Sequence, residues 1–442
     1  MSFPRYPRYK DSGVEWLGEV PEHWEVKRLR YLSIVRKGRL PSGTSPMPSA
    51  DTDMPYLSME YLRGETDTPS FVPVSQNLLR AESGDLLLLW DGSNAGEFLR
   101  AKQGVVSSTV ALIEPRNVDR EFLFFACKAR ERQLKDQTVG MGIPHVSGDE
   151  LRDFLIPCPP LPEQTAIAEF LDRETGKIDE LVAEQRRLME LLKEKRQAVI
   201  SHAVTRGLNP AAPLKPSGIE WLGDVPAHWD VKRTKHVVIK NAGIQMGPFG
   251  GMLLDLERED TGFKVYGQEN TISGDFTRGG RWISEDRFGE LANYHVAIGD
   301  LLLTRKGSLG NARLVLELPQ PGIADSDTIR VRVDERLILP TFLALLFHEA
   351  DYIAQQINLA KRGAILAGLN SETIANITIV LPSIAQQKEV MAHLDIELAK
   401  FDTLTAEAQR AIALLQERRT ALISAAVTGQ IDVRQLAEKK AA

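Results

Sequence analysis

Apolar residues recur at steps of three and four along two stretches of the chain. The first stretch begins at Pro159 and carries Ile167, Leu171, Ile178, Leu181, Leu188, Leu192 and Val199. The second begins at Pro382 and carries Val390, Leu394, Phe401, Leu404, Ala408, Ala411, Leu415 and Leu422. Such steps keep one stripe of a 3.6-residue helix apolar, so the spacing predicts two long helices with a heptad-like seam. Prolines precede each stretch, none falls inside it, and Gly207 or Gly429 follows near its end. A helix of about 40 residues runs roughly 60 Å and has to bury its stripe. It can do so against its own repeat, or against the globular segment beside it. Those segments read as mixed α/β. GDLLLLWDGSNAG (residues 84–96) and GDLLLTRKGSLG (299–310) look like buried strands ending in glycine-rich turns, and residues 328–333 alternate like a half-buried strand. Residues 120–133 and 339–357 carry one apolar face at helical spacing.

The pattern repeats. SGVEWLGEVPEHWEVKR (residues 12–28) returns as SGIEWLGDVPAHWDVKR (217–233), with 13 of 17 positions identical at an offset of 205. The two helical stretches repeat at an offset of 223: Leu171-Asp172 matches Leu394-Asp395, and Ala203-Val204-Thr205 matches Ala426-Val427-Thr428. Self-similarity at half the chain length marks a duplicated architecture. The expected order is a first module (1–158), a central helical region (159–205), a second module (206–381), a distal helical region (382–430) and a tail (431–442). His23 and His228 occupy matched positions, which favours a structural role for both.

Composition narrows the chemistry. At 442 residues the chain needs more than one core. Two cysteines, Cys127 and Cys158, exclude a disulfide framework and point to a reducing compartment. No apolar run reaches the ~20 residues of a membrane span, so a cytoplasmic location is expected. The net charge is −6, and no segment departs from balance by more than two charges. Charge alone therefore gives no hint of a polyanionic partner. There is no phosphate-cradling G-x-x-x-x-G-K-[ST] motif, no Asn-Pro-Pro-aromatic motif, no Pro-Asp dipeptide of the metal-dependent nuclease type and no metal-ligand spacing among the eight histidines. Catalysis and a bound metal are not expected.

The W-L-G-x-V-P-x-H-W openers (residues 16–24 and 221–229), the G-D-L-L-L turns, the P-P-L-P-E-Q run (159–164) and the Leu-Asp…Lys-Ile-Asp helix carry a resemblance over essentially the whole chain. The sequence resembles the specificity subunits of type I restriction-modification systems. The second copy departs at its helix start, with Gln386 where Glu163 stands. The resemblance implies two target recognition domains, each recognising one half of a bipartite, asymmetric duplex DNA site. It implies that the helices pair as an antiparallel coiled coil and dock two methyltransferase subunits, with restriction-translocase subunits joining through them. S-adenosylmethionine, ATP and Mg²⁺ would then belong to the partners, and this chain would be non-catalytic. The alternative is a scaffold of two modules that binds no DNA. Base recognition favours Arg on guanine and Asn or Gln on adenine. Candidate DNA contacts are therefore basic or amide residues beside glycines: Arg36, Lys37, Arg39 and Asn94 in the first module, and Arg278, Arg281, Arg305, Lys306, Lys361 and Arg362 in the second.

Overall fold

A computed structural model of the chain describes residues 3–50, 53–73, 78–138, 144–220, 222–253, 262–305, 311–362 and 369–434. It divides into two compact units, one of residues 1–186 with 408–442 and one of residues 187–407. Each module is thus grouped with one part of each long helix.

In the first unit, a four-stranded antiparallel sheet runs Ser33–Lys37, Val110–Pro115, Leu86–Leu89, Phe98–Arg100. Leu86 to Leu89 are all buried, which explains the unbroken apolar run: a strand covered on both faces cannot alternate. The Asp85 carboxylate before it accepts from Glu82 N at 2.8 Å and closes the turn into the strand. A second sheet orders Phe71–Val72, Met54–Leu57, Gly104–Val106 and Arg80–Ala81, with the middle pair parallel. Glu25–Arg28 pairs with Leu155–Cys158 and brings the opener to the start of the first long helix.

The second unit repeats this plan. Ile244–Met246, Thr328–Val331, Leu301–Thr304 and Ala312–Leu314 form the matching sheet in the same order. Asp300 accepts from Ala297 N at 2.7 Å, as Asp85 does in its own turn. Thr328–Val331 departs from the half-buried strand expected for residues 328–333, because all four of its residues are buried. The polar member, Arg330, is accommodated because its guanidinium donates to the carbonyls of His295 and Ala242 at 2.5 and 2.8 Å.

The long helices are Leu161–Arg206 and Ile384–Val427. Each start is fixed by a glutamine. Gln164 donates to Pro159 O at 2.8 Å and accepts from Asp119 N at 2.8 Å, joining the helix to the start of Arg120–Ala129. Gln387 does the same for Pro382 O and Leu339 N, at 2.9 and 2.8 Å. The helices pack together in both units. In the first, Ile167, Leu171, Ile178 and Val182 share a core with Leu422, Ile423, Ala426 and Val427, and Arg419 Nε meets Asp179 Oδ1 at 2.9 Å. In the second, Ile200, Ala203 and Val204 share a core with Val390 and Leu394, with Val199 packed against it. Early residues of one helix meet late residues of the other, so the pairing is antiparallel. The same cores contain Trp24, Phe122 and Phe125 in one unit and Trp229, Phe342 and Leu343 in the other. The stripe is buried against the partner helix and the module at once.

The seam is not the one the heptad spacing draws. Leu192, Phe401 and Leu422 are buried and Leu415 is partly buried, but Leu181, Leu188 and Leu404 remain 51%, 41% and 44% exposed. Ala408 is buried as the spacing predicts, and Val182 is buried in place of Leu181. A straight helix turns 3.6 residues per turn against the 3.5 of a strict heptad, so a regular seven-residue reading drifts off the buried face. Truncating Ile178 to Ala should therefore cost about 2–5 kcal/mol, whereas Leu181→Ala should stay within about 0.5 kcal/mol. Denaturant melts of the two variants decide this, and equal losses would refute the seam described.

Candidate nucleic-acid interface

In the first unit the strand Ser33–Lys37 runs into a turn at Gly38. A Cβ on Gly38 would lie 2.1 Å from Ser107 O, so only glycine lets the basic turn press against the 107–109 segment. This places Arg36, Lys37 and Arg39 in one groove of about 680 Å³, completed by Leu78, Leu79 and Arg80. Arg36 is held by Glu114, and Lys37 Nζ lies 2.7 Å from Asp91 Oδ2 and 5.7 Å from the Trp90 ring centre. Arg39 is exposed. On the other side of the Lys37–Asp91 pair lies a second depression of about 610 Å³, lined by Tyr56, Glu60, Ser107, Ser108, Thr109 and His145 among others. Asn94 sits beside it, with Nδ2 3.6 Å from Sδ of Met59 in the wall. Three of the four predicted residues of this module thus share a groove, and the fourth borders the adjoining one. The arrangement presents guanidinium, ammonium, amide and hydroxyl groups along one edge, the donor and acceptor set that base edges and phosphates require.

The second unit has the same backbone device with different chemistry. A Cβ on Gly247 would lie 1.8 Å from Asp325 O, the counterpart of the Gly38–Ser107 contact. The residues before it are Gln245 and Met246 in place of Arg36 and Lys37, and the facing turn is Asp325-Ser326-Asp327 in place of Ser107-Ser108-Thr109. That acidic turn engages two of the predicted cations. Arg281 Nη2 lies 2.9 Å from Asp325 Oδ2 and 3.2 Å from Glu269 Oε1. Burial opposes its charge, but these two carboxylates hold its pKa above the ordinary arginine value. Arg305 donates to Ser326 O and Leu369 O, lies 4.0 Å from Asp327, and covers the exposed Phe249 ring at 4.9 Å. In the first unit the cation Lys37 comes from the first strand and its ring, Trp90, from the buried strand's end; in the second unit the two have changed sides. Arg278 is 3.3 Å from Asp275 and projects from a loop. Lys306 lies outside the described residues. Lys361 and Arg362 close the helix Asp351–Arg362, and their side chains are outside the description as well.

Sequence reasoning missed Arg80, Gln245 and Phe249. Arg80 has no glycine neighbour, and only the pairing of Arg80–Ala81 with Gly104–Val106 brings it to the groove. Gln245 and Phe249 had a usable signal, since they flank Gly247 as Arg36 to Leu40 flank Gly38. Among the described residues, no group of three or more His, Cys, Asp or Glu side chains is arranged to hold a metal. No described helix is long and apolar enough to cross a membrane.

A family model described as the type I restriction modification DNA specificity domain matches residues 21–188. Over 428 residues the chain is 28% identical to the type I restriction enzyme MjaVIII specificity subunit of Methanocaldococcus jannaschii, covering 94% of this chain and 95% of that one. It is 24% identical over 448 residues to the EcoKI specificity subunit of Escherichia coli, covering 95% and 92%. A solved structure described as the basis of complex assembly and conformational transition of the type I R-M system matches with a TM-score of 0.67 at 17% identity, covering 92% of this chain and 98% of that one. The HsdS subunit from Thermoanaerobacter tengcongensis matches with a TM-score of 0.50 at 18% identity, covering 93% and 98%. At such identities the two structures bear on the fold alone.

Proposed function

We propose that the chain is a specificity subunit of a type I restriction-modification system, a DNA-recognition protein, and that each of its units recognises one half of a bipartite, asymmetric duplex site. The observation that carries this reading is the duplicated strand-and-turn edge with unlike side chains. Gly38 and Gly247 set the same backbone approach, while Arg36, Lys37, Arg39 and Arg80 flank one and Gln245, Met246 and Phe249 flank the other. Like geometry with unlike chemistry suits two different half-sites. Methyl transfer and ATP-driven cleavage, with S-adenosylmethionine, ATP and Mg²⁺, fall to partner chains on this reading. Phosphate neutralisation is shared with those partners, which fits a net charge of −6.

The helices supply the docking face for two methyltransferase subunits, through which restriction-translocase subunits join. Leu181, Leu188, Leu191, Leu404 and Leu414 are exposed on them, and apolar side chains in water are what a partner helix would cover. Leu181→Ala combined with Leu404→Ala should weaken methyltransferase assembly while leaving the melt of the isolated chain nearly unchanged. Unaltered assembly in pull-down titrations would remove these leucines from the docking face.

The reading is tested by binding of the reconstituted methyltransferase complex to duplex DNA across a salt series. Specific, salt-dependent binding is expected. Arg39→Ala should weaken it and lower the salt slope by about one if the guanidinium contacts a phosphate. Loss of discrimination at one base pair, worth about 1–3 kcal/mol, is expected if it contacts a base. A complex that binds no DNA at any salt would leave the scaffold reading in its place.

A further inference from the structure

Both units carry an exposed apolar residue at the same place beside the proposed DNA edge. Gly38 N donates to Val110 O at 2.9 Å and Gly247 N to Thr328 O at 3.0 Å, so the two glycines hold equivalent positions after the first strand. Two residues beyond each glycine stands a large apolar side chain, Leu40 in one unit and Phe249 in the other, 77% and 45% exposed. A buried proline adjoins each, Pro41 or Pro248, and its fixed φ limits how far the backbone there can move.

A single exposed apolar residue on a protein surface needs no explanation. Two at one repeat position do, because the side chains around them have diverged: Arg36, Lys37 and Arg39 surround Gly38, whereas Gln245, Met246 and Pro248 surround Gly247. A duplex offers an apolar side chain two uses. It can meet the 5-methyl group that thymine displays in the major groove, or it can enter as a wedge between base steps. The Phe249 ring is unsuited to a wedge. Arg305 covers one of its faces, with Cζ 4.9 Å from the ring centre, and is held there by the carbonyls of Ser326 and Leu369. Insertion needs both faces free to stack, whereas a methyl group needs only the remaining face or the edge.

We propose that Leu40 and Phe249 are specificity residues, each packing against the 5-methyl group of one thymine in the half-site of its own unit. A cytosine in that place would bring an N4 amino donor against an apolar side chain that offers no acceptor. The contact therefore discriminates by that penalty as well as by the missing methyl. A cation accompanies each apolar group, Arg39 next to Leu40 and Arg305 over Phe249, so the backbone or a base edge can be gripped beside the methyl. This rests on the reading of one half-site per unit given above and adds the base group that both edges recognise.

Methylation sequencing first supplies the two half-sites. The reconstituted methyltransferase complex is then titrated with duplexes in which each thymine is replaced in turn by deoxyuridine, which lacks only the 5-methyl group. One thymine in each half-site is expected to matter, its replacement weakening binding about fourfold, the worth of one apolar carbon taken out of water. In Leu40→Ala one of these two losses should disappear, and in Phe249→Ala the other. Specific wild-type binding that is indifferent to every replacement overturns this proposal alone, and so does a loss that persists in both variants. Loss of methyltransferase assembly in pull-downs of either variant overturns it too, since that residue would then face a partner chain. A wild-type complex that binds no duplex specifically refutes the half-site reading itself, and this proposal with it.

Discussion

Exchanging residues 29–154 for the matching span of a type I specificity subunit is expected to replace one half of the methylated sequence completely and leave the other half unchanged. The boundaries follow from the packing. The strand Glu25–Arg28 pairs with Leu155–Cys158, and Trp24 is bonded to Glu163 on the long helix. Cuts at 29 and 154 therefore keep the anchor of the module and replace only what it presents. Everything placed at the first edge lies inside the exchanged span: the Arg36 to Arg39 turn, Arg80, Asn94 and the 107–109 segment. Interior contacts across the cuts have to be carried over, among them buried Arg130, which donates to Leu155 O at 3.4 Å and stacks on Trp16. Asp119 N donates to Gln164 Oε1 at 2.8 Å, so the donor span needs a backbone amide at the same helix start. Methylation sequencing of cells carrying the hybrid reads both halves at once. A change in both halves, or in neither, would refute one half-site per unit.

Lengthening the paired helices is expected to lengthen the unread spacer between unchanged half-sites. Because the helices pack together in both units, the insertion has to be made in both, four residues after Leu188 and four after Glu407, close to where the two units divide. Four residues add about 6 Å of helix, near two base-pair steps of ~3.4 Å. They also turn the helix by about 400°, leaving the seam some 40° out of line. Activity should therefore fall while the spacer grows. The edges proposed to contact bases are untouched, so neither half-site should change. An unaltered spacer in a fully active complex would mean that partner subunits set the distance.

The duplication, the mixed α/β modules and the two long paired helices were legible in the amino-acid order. Each of these leaves a local signal: the repeated W-L-G openers, the Asp85 and Asp300 turns before buried strands, and apolar residues at three- and four-residue steps. The Arg36-Lys37-Gly38-Arg39 edge could be found the same way, because the glycine that permits the close approach lies within the motif.

What only the tertiary structure decided depends on residues far apart in the chain. Leu181 and Val182 look equally suited to a seam, and the buried one is chosen by the drift of a 3.6-residue helix against its partner. Arg281 and Arg305 read as free cations beside glycines. They are engaged because Asp325, Ser326 and Asp327 arrive from a strand connection some 20 to 45 residues later, where a carboxylate or carbonyl held close outcompetes solvent for a guanidinium. Arg80 joins the first groove only through strand pairing with Gly104–Val106. Gln386 in place of Glu163 was visible as one letter, but its consequence was not. In the first unit Glu163 accepts from Trp24 Nε1, whereas Gln386 is held by Ser383 and His228 and Trp229 Nε1 has no hydrogen-bond partner. Local chemistry fixes elements and turns, whereas burial and partner choice are settled by long-range packing, where each side chain competes with every other for the same space.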